Sequence, residues 1–191
     1  MSTIACIIIA GGKRKELLDK QIIPSCLAQP FDEIIVAGMH HAGKGYKYLH
    51  IPDLTKSTTD ALVKRDAGTV AAKSELLFYH CDDHQVVGGV QESKALAENG
   101  TIWDVAVPIR IAEHPEQGRI RINNGESDGY CGGHAGLYRR RVVQDRPWSS
   151  QPHHRLWDLY ASQNQQMAGF KFIINGPIVV EDLEVEACPW Q

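Results

Sequence analysis

Two aspartates and a histidine that follow an apolar segment are the residues of this sequence best suited to chemistry. The segment Leu76–Cys81 has the composition of a strand buried in a sheet, and Asp82, Asp83 and His84 come directly after it. Carboxylate oxygens and an imidazole can hold Mg²⁺ or Mn²⁺ against the phosphates of a nucleotide. The alternative is a turn in which the two aspartates cap the next segment.

Two other segments carry the same type of signal. Gly11 and Gly12 follow an apolar run that ends at Ala10, and Gly38 and Met39 close a second apolar run. In open α/β sheets, ligands bind beyond the carboxyl ends of the strands. The sequence therefore predicts one cleft, formed by residues 10–13, 38–41 and 82–84.

The elements that would position these segments alternate between strand and helix. The run Ile4–Ala10 is apolar throughout, which favours a parallel strand buried on both faces. Further strands are predicted at 33–38, 46–51 and 76–81, with helices at 13–29, restarting near Pro24, and at 58–74. This alternation predicts βαβ units, and so an α/β fold with a doubly wound, mainly parallel sheet flanked by helices.

The second half of the chain has a weaker pattern. We expect a strand at 103–111, glycine-rich loops at 118–136, a helix at 154–167 closed by Gly169, and a strand at 170–174. Because the chain shows neither an internal repeat nor a linker, we expect a single domain spanning residues 1–191.

Composition excludes several broad classes of protein. Apolar residues make up 43% of the 191 residues and charged residues 23%, as in folded globular proteins. A net charge of −3 argues against a role in coating nucleic acid. The longest apolar run is too short to span a membrane and no secretory leader precedes it, so we expect a cytoplasmic protein without a transmembrane segment.

Five parts of the chain, in order, resemble motifs of the family 2 glycosyltransferases. They match the family's first helix and second strand, its Arg-Asn-x-Gly helix, its Asp-x-Asp metal motif, its glycine-rich segment ending in paired arginines, and its Glu-Asp-x-x-Leu…Ala-Gly helix. The corresponding residues here are 24–36, 65–68, 82–84, 132–140 and 157–169. The chain departs from the pattern at Asp66, which stands where asparagine is usual, and at Trp157, which replaces the glutamate.

The resemblance implies a GT-A-like fold that transfers a sugar from a nucleotide-diphosphate donor to an acceptor hydroxyl. The donor would lie across the strand ends against Ala10, Gly11, Gly12, Gly38 and Met39, together with Arg65 and Asp82. An Mn²⁺ or Mg²⁺ ion would bind Asp83 or His84 and stabilise the departing diphosphate.

The resemblance also implies the rest of the mechanism. Asp158 would act as the base that deprotonates the acceptor, and the anomeric configuration would invert. The family's histidine after Phe170 is missing, and Glu181 or Asp182 could replace it. His153 and His154 are the other candidates for the base.

Two alternatives stay open. Residues 10–24 also resemble the Ala-Gly-Gly…Arg…Asp-Lys…Pro loop of sugar and molybdenum-cofactor nucleotidyltransferases, which share the same type of sheet. The altered metal triplet and the missing glutamate are compatible with a GT-A domain that binds a nucleotide without turnover.

Two groups of basic residues have two interpretations each. Arg139, Arg140 and Arg141 could clamp a diphosphate or form a solvated basic face. His40 and His41 could bind a metal or a phosphate, although neighbouring histidines in a loop more often face solvent.

Overall fold

The apolar runs of the sequence form the centre of one mixed sheet. The structure is a computed structural model that describes residues 1–11, 14–53, 58–114, 117–122, 135–150 and 157–183. Its strands are β1 (Ile4–Ala10), β2 (Glu33–Gly38), β3 (Lys47–His50), β4 (Leu76–Cys81), β5 (His84–Gly88), β6 (Val105–His114), β7 (Gly118–Ile122), β8 (Gly136–Arg139) and β9 (Phe172–Asp182). Within the described residues the order is β3-β2-β1-β4-β8-β6-β9-β5, and β7 pairs with β6.

Helices connect these strands and cover the sheet. They are α1 (Lys15–Leu17), α2 (Ile23–Leu27), α3 (Thr58–Ala71), α4 (Val90–Glu98), α5 (Arg140–Asp145) and α6 (Trp157–Met167). A π-helical segment, Leu18–Ile22, joins α1 to α2, and a 3₁₀ turn spans Trp148–Ser150. Pro24 lies in the first turn of α2, as the sequence predicts, because a first turn does not need its missing N–H.

The first half of the chain forms the predicted parallel array. Strand β1 lies between β2 and β4 and is parallel to both, with Ala10 opposite Gly38 and Ile9 opposite Cys81. Strand β3 continues the array beyond β2. The carboxyl ends of β2, β1 and β4 therefore lie side by side, and we call this side of the sheet the carboxyl edge.

The second half makes the sheet mixed rather than mainly parallel. Strand β8 is antiparallel to β4 and to β6, while β6 and β9 are parallel to each other. Strand β5 follows β4 directly in sequence but pairs, antiparallel, with β9. The prediction of loops throughout 118–136 is wrong at β7, and β5, β8 and α4 were not predicted, because short segments of mixed polarity depend on pairing with distant strands.

The core lies on both faces of the parallel array. Even-numbered side chains of β1 join one buried cluster and odd-numbered side chains join the other. Helix α3 packs closely on β1, since a Cβ atom built on Gly68 would come within 2.4 Å of Ile7 Cγ2. Burial on both faces explains why β1 is apolar throughout instead of alternating.

Candidate functional site at the carboxyl edge

Asp82 and the first glycine of the 10–13 segment meet at the carboxyl edge. One carboxylate oxygen of Asp82 accepts a hydrogen bond from the Gly11 N–H at 2.7 Å, and the other accepts one from the Arg14 guanidinium at 2.9 Å. A Cβ atom on Gly11 would lie 2.9 Å from the first oxygen, so a larger residue here would displace the Asp82 carboxylate. The prediction that the two segments share one edge is confirmed.

The end of β2 is equally tightly packed against the end of β1. Gly38 has φ +137°, and a Cβ atom there would come within 2.0 Å of the Ala10 carbonyl oxygen. The Lys64 ammonium donates to the same oxygen at 2.9 Å, and the Met39 N–H donates to it at 3.2 Å. Gly38, Met39 and Ala10 thus lie together as predicted, whereas Gly12 falls outside the described residues.

Two residues after Asp82 in the chain, the buried His84 lies between two carboxylates. His84 has a side chain only 2% exposed, and its Nδ1 and Nε2 atoms lie 2.5 Å from Asp83 and 2.9 Å from Asp182. Arg110 in turn contacts Asp182 at 2.8 Å. Acidic and basic side chains therefore alternate along the series Asp83, His84, Asp182 and Arg110.

The titration of this network follows from its contacts. Burial disfavours the imidazolium form of His84, but hydrogen bonds to Asp182 and Asp83 outweigh burial and raise the pKa of His84 to about 9. Burial alone would raise the pKa of Asp182. The contacts with His84 and Arg110 outweigh burial and lower the pKa of that carboxyl group. The two carboxylates therefore favour the protonated form of His84.

These contacts change the predicted metal ligands. Both ring nitrogens of His84 already face carboxylates, so the geometry argues against His84 as a direct metal ligand. Asp182 reaches the same place from β9, because it is the register partner of His84. Of the two residues that could replace the missing histidine, Asp182 therefore lies against the Asp83–His84 pair. Glu181 instead contacts Gln85 and Arg119.

Arg65 lies inside the molecule rather than on the surface of the cleft. Its side chain is fully buried, and the guanidinium stacks 5.3 Å from the Tyr79 ring centre and 5.0 Å from that of Trp148. It also donates to Cys81 Sγ at 3.4 Å, next to the carboxyl edge. The structure therefore corrects the prediction that Arg65 contacts a donor. Its buried guanidinium group instead packs against the end of β4.

The three consecutive arginines lie at the opposite edge of the sheet. Arg139 is the register partner of Leu76, the first residue of β4. Arg140 donates to the carbonyl oxygens of Ser74 and Thr69, and Arg141 pairs with Asp104. Arg140 and Arg141 bind backbone and carboxylate acceptors, and all three arginines lie away from the carboxyl edge at which the donor site is predicted.

The proposed base is described only through its backbone. Asp158 is the second residue of α6, a helix closed by Gly169 with φ +88°, as the sequence predicts. Its side chain lies outside the described set, as do residues 123–134 and both histidines 153 and 154.

Two further polar residues lie close to the carboxyl edge. Arg14 belongs to the nucleotidyltransferase-like loop of the sequence, and the structure shows in addition that it binds Asp82. Sequence reasoning missed His80, because it lies within an apolar run. Its side chain is fully buried, and burial, assisted by the nearby charge of His84, lowers the pKa of His80 to about 3.

Comparisons with known proteins add no family to this geometry. Neither a scan against protein-family models nor a search of curated proteins finds a match to this chain. No helix in the described ranges is long and apolar enough to cross a membrane.

Proposed function

We propose that this protein transfers a sugar from a nucleotide-diphosphate donor to an acceptor hydroxyl. The observation that carries the proposal is the meeting of Gly11, Gly38, Asp82 and Asp83 at one edge of three parallel strands. Ligands of open α/β sheets bind at this edge, where the strand connections separate. The order of the sequence motifs supplies the reaction class.

The closely packed carboxyl ends of β1 and β2 would form the bottom of the donor site. Glycine at positions 11 and 38 lets the end of β1 lie in close contact with Asp82 and with the end of β2, because a Cβ atom at Gly11 would meet the Asp82 carboxylate and one at Gly38 the Ala10 carbonyl oxygen. Asp82 binds both the Gly11 N–H and the Arg14 guanidinium, so it links the end of β1 to the residue that precedes α1. The Arg14 side chain, about a third exposed, would bring a positive charge to the proposed diphosphate.

Asp83, next to Asp82 in the chain, offers a carboxylate of the type that Mg²⁺ and Mn²⁺ prefer. Because His84 lies between Asp83 and Asp182, we assign Asp83 as the residue that would hold the ion and Asp182 as the residue that holds His84 in place. When bound, the ion would neutralise charge on the departing diphosphate.

Asp158 remains our candidate for the base. It would accept the proton of the acceptor hydroxyl as the hydroxyl oxygen forms a bond to the anomeric carbon, and the bond from that carbon to the diphosphate oxygen breaks. A single in-line displacement inverts the configuration of the sugar. A carboxylate in the first turn of α6 is stabilised in its ionised, proton-accepting form by the helix dipole.

One observation favours a second reaction, nucleotidyl transfer. Arg14 comes from the glycine segment and reaches Asp82, which places a cation where a loop that binds a triphosphate would need one. Such an enzyme would join a nucleoside triphosphate to a sugar phosphate and release pyrophosphate.

The two reactions differ in their products, so product analysis tests the proposal. A panel of UDP-, GDP-, CDP-, ADP- and TDP-sugars is first screened for thermal stabilisation with and without Mn²⁺. The stabilising donor is then incubated with the protein and candidate acceptors. Release of nucleoside diphosphate supports glycosyl transfer, whereas pyrophosphate formed from a triphosphate and a sugar phosphate supports nucleotidyl transfer.

A matched variant makes the assay specific for the proposed edge. Asp83→Asn should abolish product release, while Asp145→Asn, which alters an exposed carboxylate on α5, should leave it unchanged. Donor-dependent stabilisation without either product would contradict transfer and support a domain that binds nucleotides without turnover.

A further inference from the structure

A carboxylate and two histidines meet at a second place near the carboxyl edge. Asp19 lies on the π-helical segment Leu18–Ile22, and His40 and His41 follow the end of β2. One oxygen of Asp19 lies 3.3 Å from His40 Nε2 and 3.5 Å from His41 Nε2. We call these three residues the Asp19 cluster.

The distances within the Asp19 cluster match those around a small metal ion. Zinc binds imidazole nitrogen and carboxylate oxygen at about 2.1 Å, so neighbouring ligands of a tetrahedral site lie about 3.4 Å apart. The two separations from Asp19 agree with that value, and all three ligand atoms lie within 4.8 Å of one another. A single ion can therefore reach all three residues with small adjustments.

The buried imidazole of His40 provides an independent indication of a ligand. Its side chain is 0% exposed, and neither ring nitrogen has a hydrogen-bond partner among the described residues, although Nε2 faces Asp19. Asp19 contacts only Nε2 of the two ring nitrogens, and at 3.3 Å that atom is close enough to share an ion with the Asp19 carboxylate.

Two tyrosines fix the backbone that carries the histidines. The Tyr48 hydroxyl accepts from the His40 N–H at 3.4 Å and lies 2.8 Å from the His40 carbonyl oxygen. The Tyr46 hydroxyl donates to the His41 carbonyl oxygen at 3.0 Å. The loop is therefore held in place without using the ring nitrogens.

We infer that Asp19, His40 and His41 form a binding site for a divalent transition-metal ion of the Zn²⁺ type, separate from the site at Asp83. Two imidazoles and one carboxylate favour Zn²⁺, Co²⁺ or Ni²⁺ over Mg²⁺ or Mn²⁺, which prefer oxygen ligands. The side chains of Asp19 and His41 are 40% and 49% exposed, so an ion can enter from solvent.

The chemistry of the site follows from the number of its ligands. Three protein ligands leave one coordination position of a tetrahedral ion for water or for a group of a bound molecule. The site stands on its own contacts, whether or not the chain transfers sugars.

Titration of the untagged protein with Zn²⁺ tests this inference. The parent should bind one Zn²⁺ in the micromolar range or tighter, measured by calorimetry or by competition with a chromophoric chelator. Asp19→Asn and His41→Ala should each weaken binding at least about 100-fold, because the loss of an outer partner alone costs about 10–100-fold. Both side chains are substantially exposed, so the variants should fold normally, which their thermal melts will check.

Two controls leave the cluster and its supporting tyrosines unchanged. Glu16→Gln removes an exposed carboxylate one turn before Asp19, and Asp145→Asn alters an exposed carboxylate on α5. Both controls, and Asp83→Asn, should bind Zn²⁺ as the parent does. With Co²⁺ in place of Zn²⁺, the parent should show the visible absorption of a four-coordinate ion, and His41→Ala should lose it.

Three results would overturn the inference. They are failure of the parent to bind Zn²⁺ in the micromolar range, unchanged affinity in both Asp19→Asn and His41→Ala, and equal losses in the controls. Loss of binding in Asp83→Asn alone would place the ion at the other site.

Discussion

The buried histidine His80 should make the stability of the protein fall as the pH decreases from 7 to 5. It lies in β4 with a fully buried side chain, 5.8 Å from the Phe78 ring centre and 6.1 Å from that of His84. Burial, followed by the charge of His84, lowers the pKa of His80 to about 3, whereas an unfolded chain has a histidine pKa near 6.5. The perturbation that tests this is His80→Phe, which keeps a planar ring and removes the titratable group.

The sign and size of the effect follow from proton linkage. Below pH 6.5 the unfolded chain binds a proton at residue 80, while the folded protein does not until about pH 3. The contribution of His80 to stability therefore falls by about 2 kcal/mol between pH 7 and pH 5, and the raised pKa of His84 offsets part of this loss. Replacement by phenylalanine should eliminate the loss due to His80.

Denaturant unfolding at the two pH values measures the effect. The parent and His80→Phe are compared with Ile8→Val, which alters the register partner of His80 without touching a titratable group. Ile8→Val should lower the free energy of unfolding by about 1 kcal/mol at both pH values. If His80→Phe keeps the parent's full loss between pH 7 and pH 5, the assignment of a buried neutral histidine is refuted.

Three further substitutions test separate parts of the structure. Gly38→Ala should cost at least about 3 kcal/mol in unfolding experiments, because its Cβ atom would meet the Ala10 carbonyl oxygen at 2.0 Å in a positive-φ conformation; a loss below 1 kcal/mol would contradict this packing. Arg140→Ala should lower the free energy of unfolding by roughly 2 kcal/mol, because it removes hydrogen bonds to the Ser74 carbonyl oxygen. Donor binding should stay unchanged, and weaker donor binding would show that the arginines belong to the donor site. Asp158→Asn should lower kcat about 100-fold or more with donor affinity little changed, and turnover within a few-fold of the parent would remove Asp158 from the mechanism.

The parallel half of the fold and its cleft could be predicted from local sequence. An apolar run such as Ile4–Ala10 has few structures that bury all of its side chains, and the central parallel strand is one of them. Once β1 and β4 are parallel neighbours, the residues that follow them must lie at the same edge. The contact between Gly11 and Asp82 therefore follows from the strand pattern.

The residues whose roles changed depend on contacts between distant parts of the chain. Arg65 belongs to a motif-like helix segment, but its burial depends on Trp148, more than eighty residues away in sequence. His84 follows two aspartates like a metal ligand, yet the pairing of β5 with β9 places Asp182 against its second nitrogen. No local pattern shows such partners, so sequence reasoning had no means of assigning these side chains.

The Asp19 cluster shows a similar limit. His40 and His41 are adjacent in sequence, but the carboxylate that faces them is about twenty residues earlier and is presented by a π-helical segment. Vicinal histidines in a loop are most simply interpreted as solvent-facing. The full burial of the His40 side chain could be seen only once the segments on either side of it were placed.

Metal-dependent donor binding is the most direct test of the proposed sugar-transfer site. Calorimetry should show that the parent binds a nucleotide-diphosphate sugar more tightly with Mn²⁺ than with a chelator. Asp83→Asn should bind the donor in Mn²⁺ only as weakly as the parent does with the chelator, while Asp145→Asn should match the parent under both conditions. Equal, Mn²⁺-dependent affinity in the parent and in Asp83→Asn would contradict the assignment of the site.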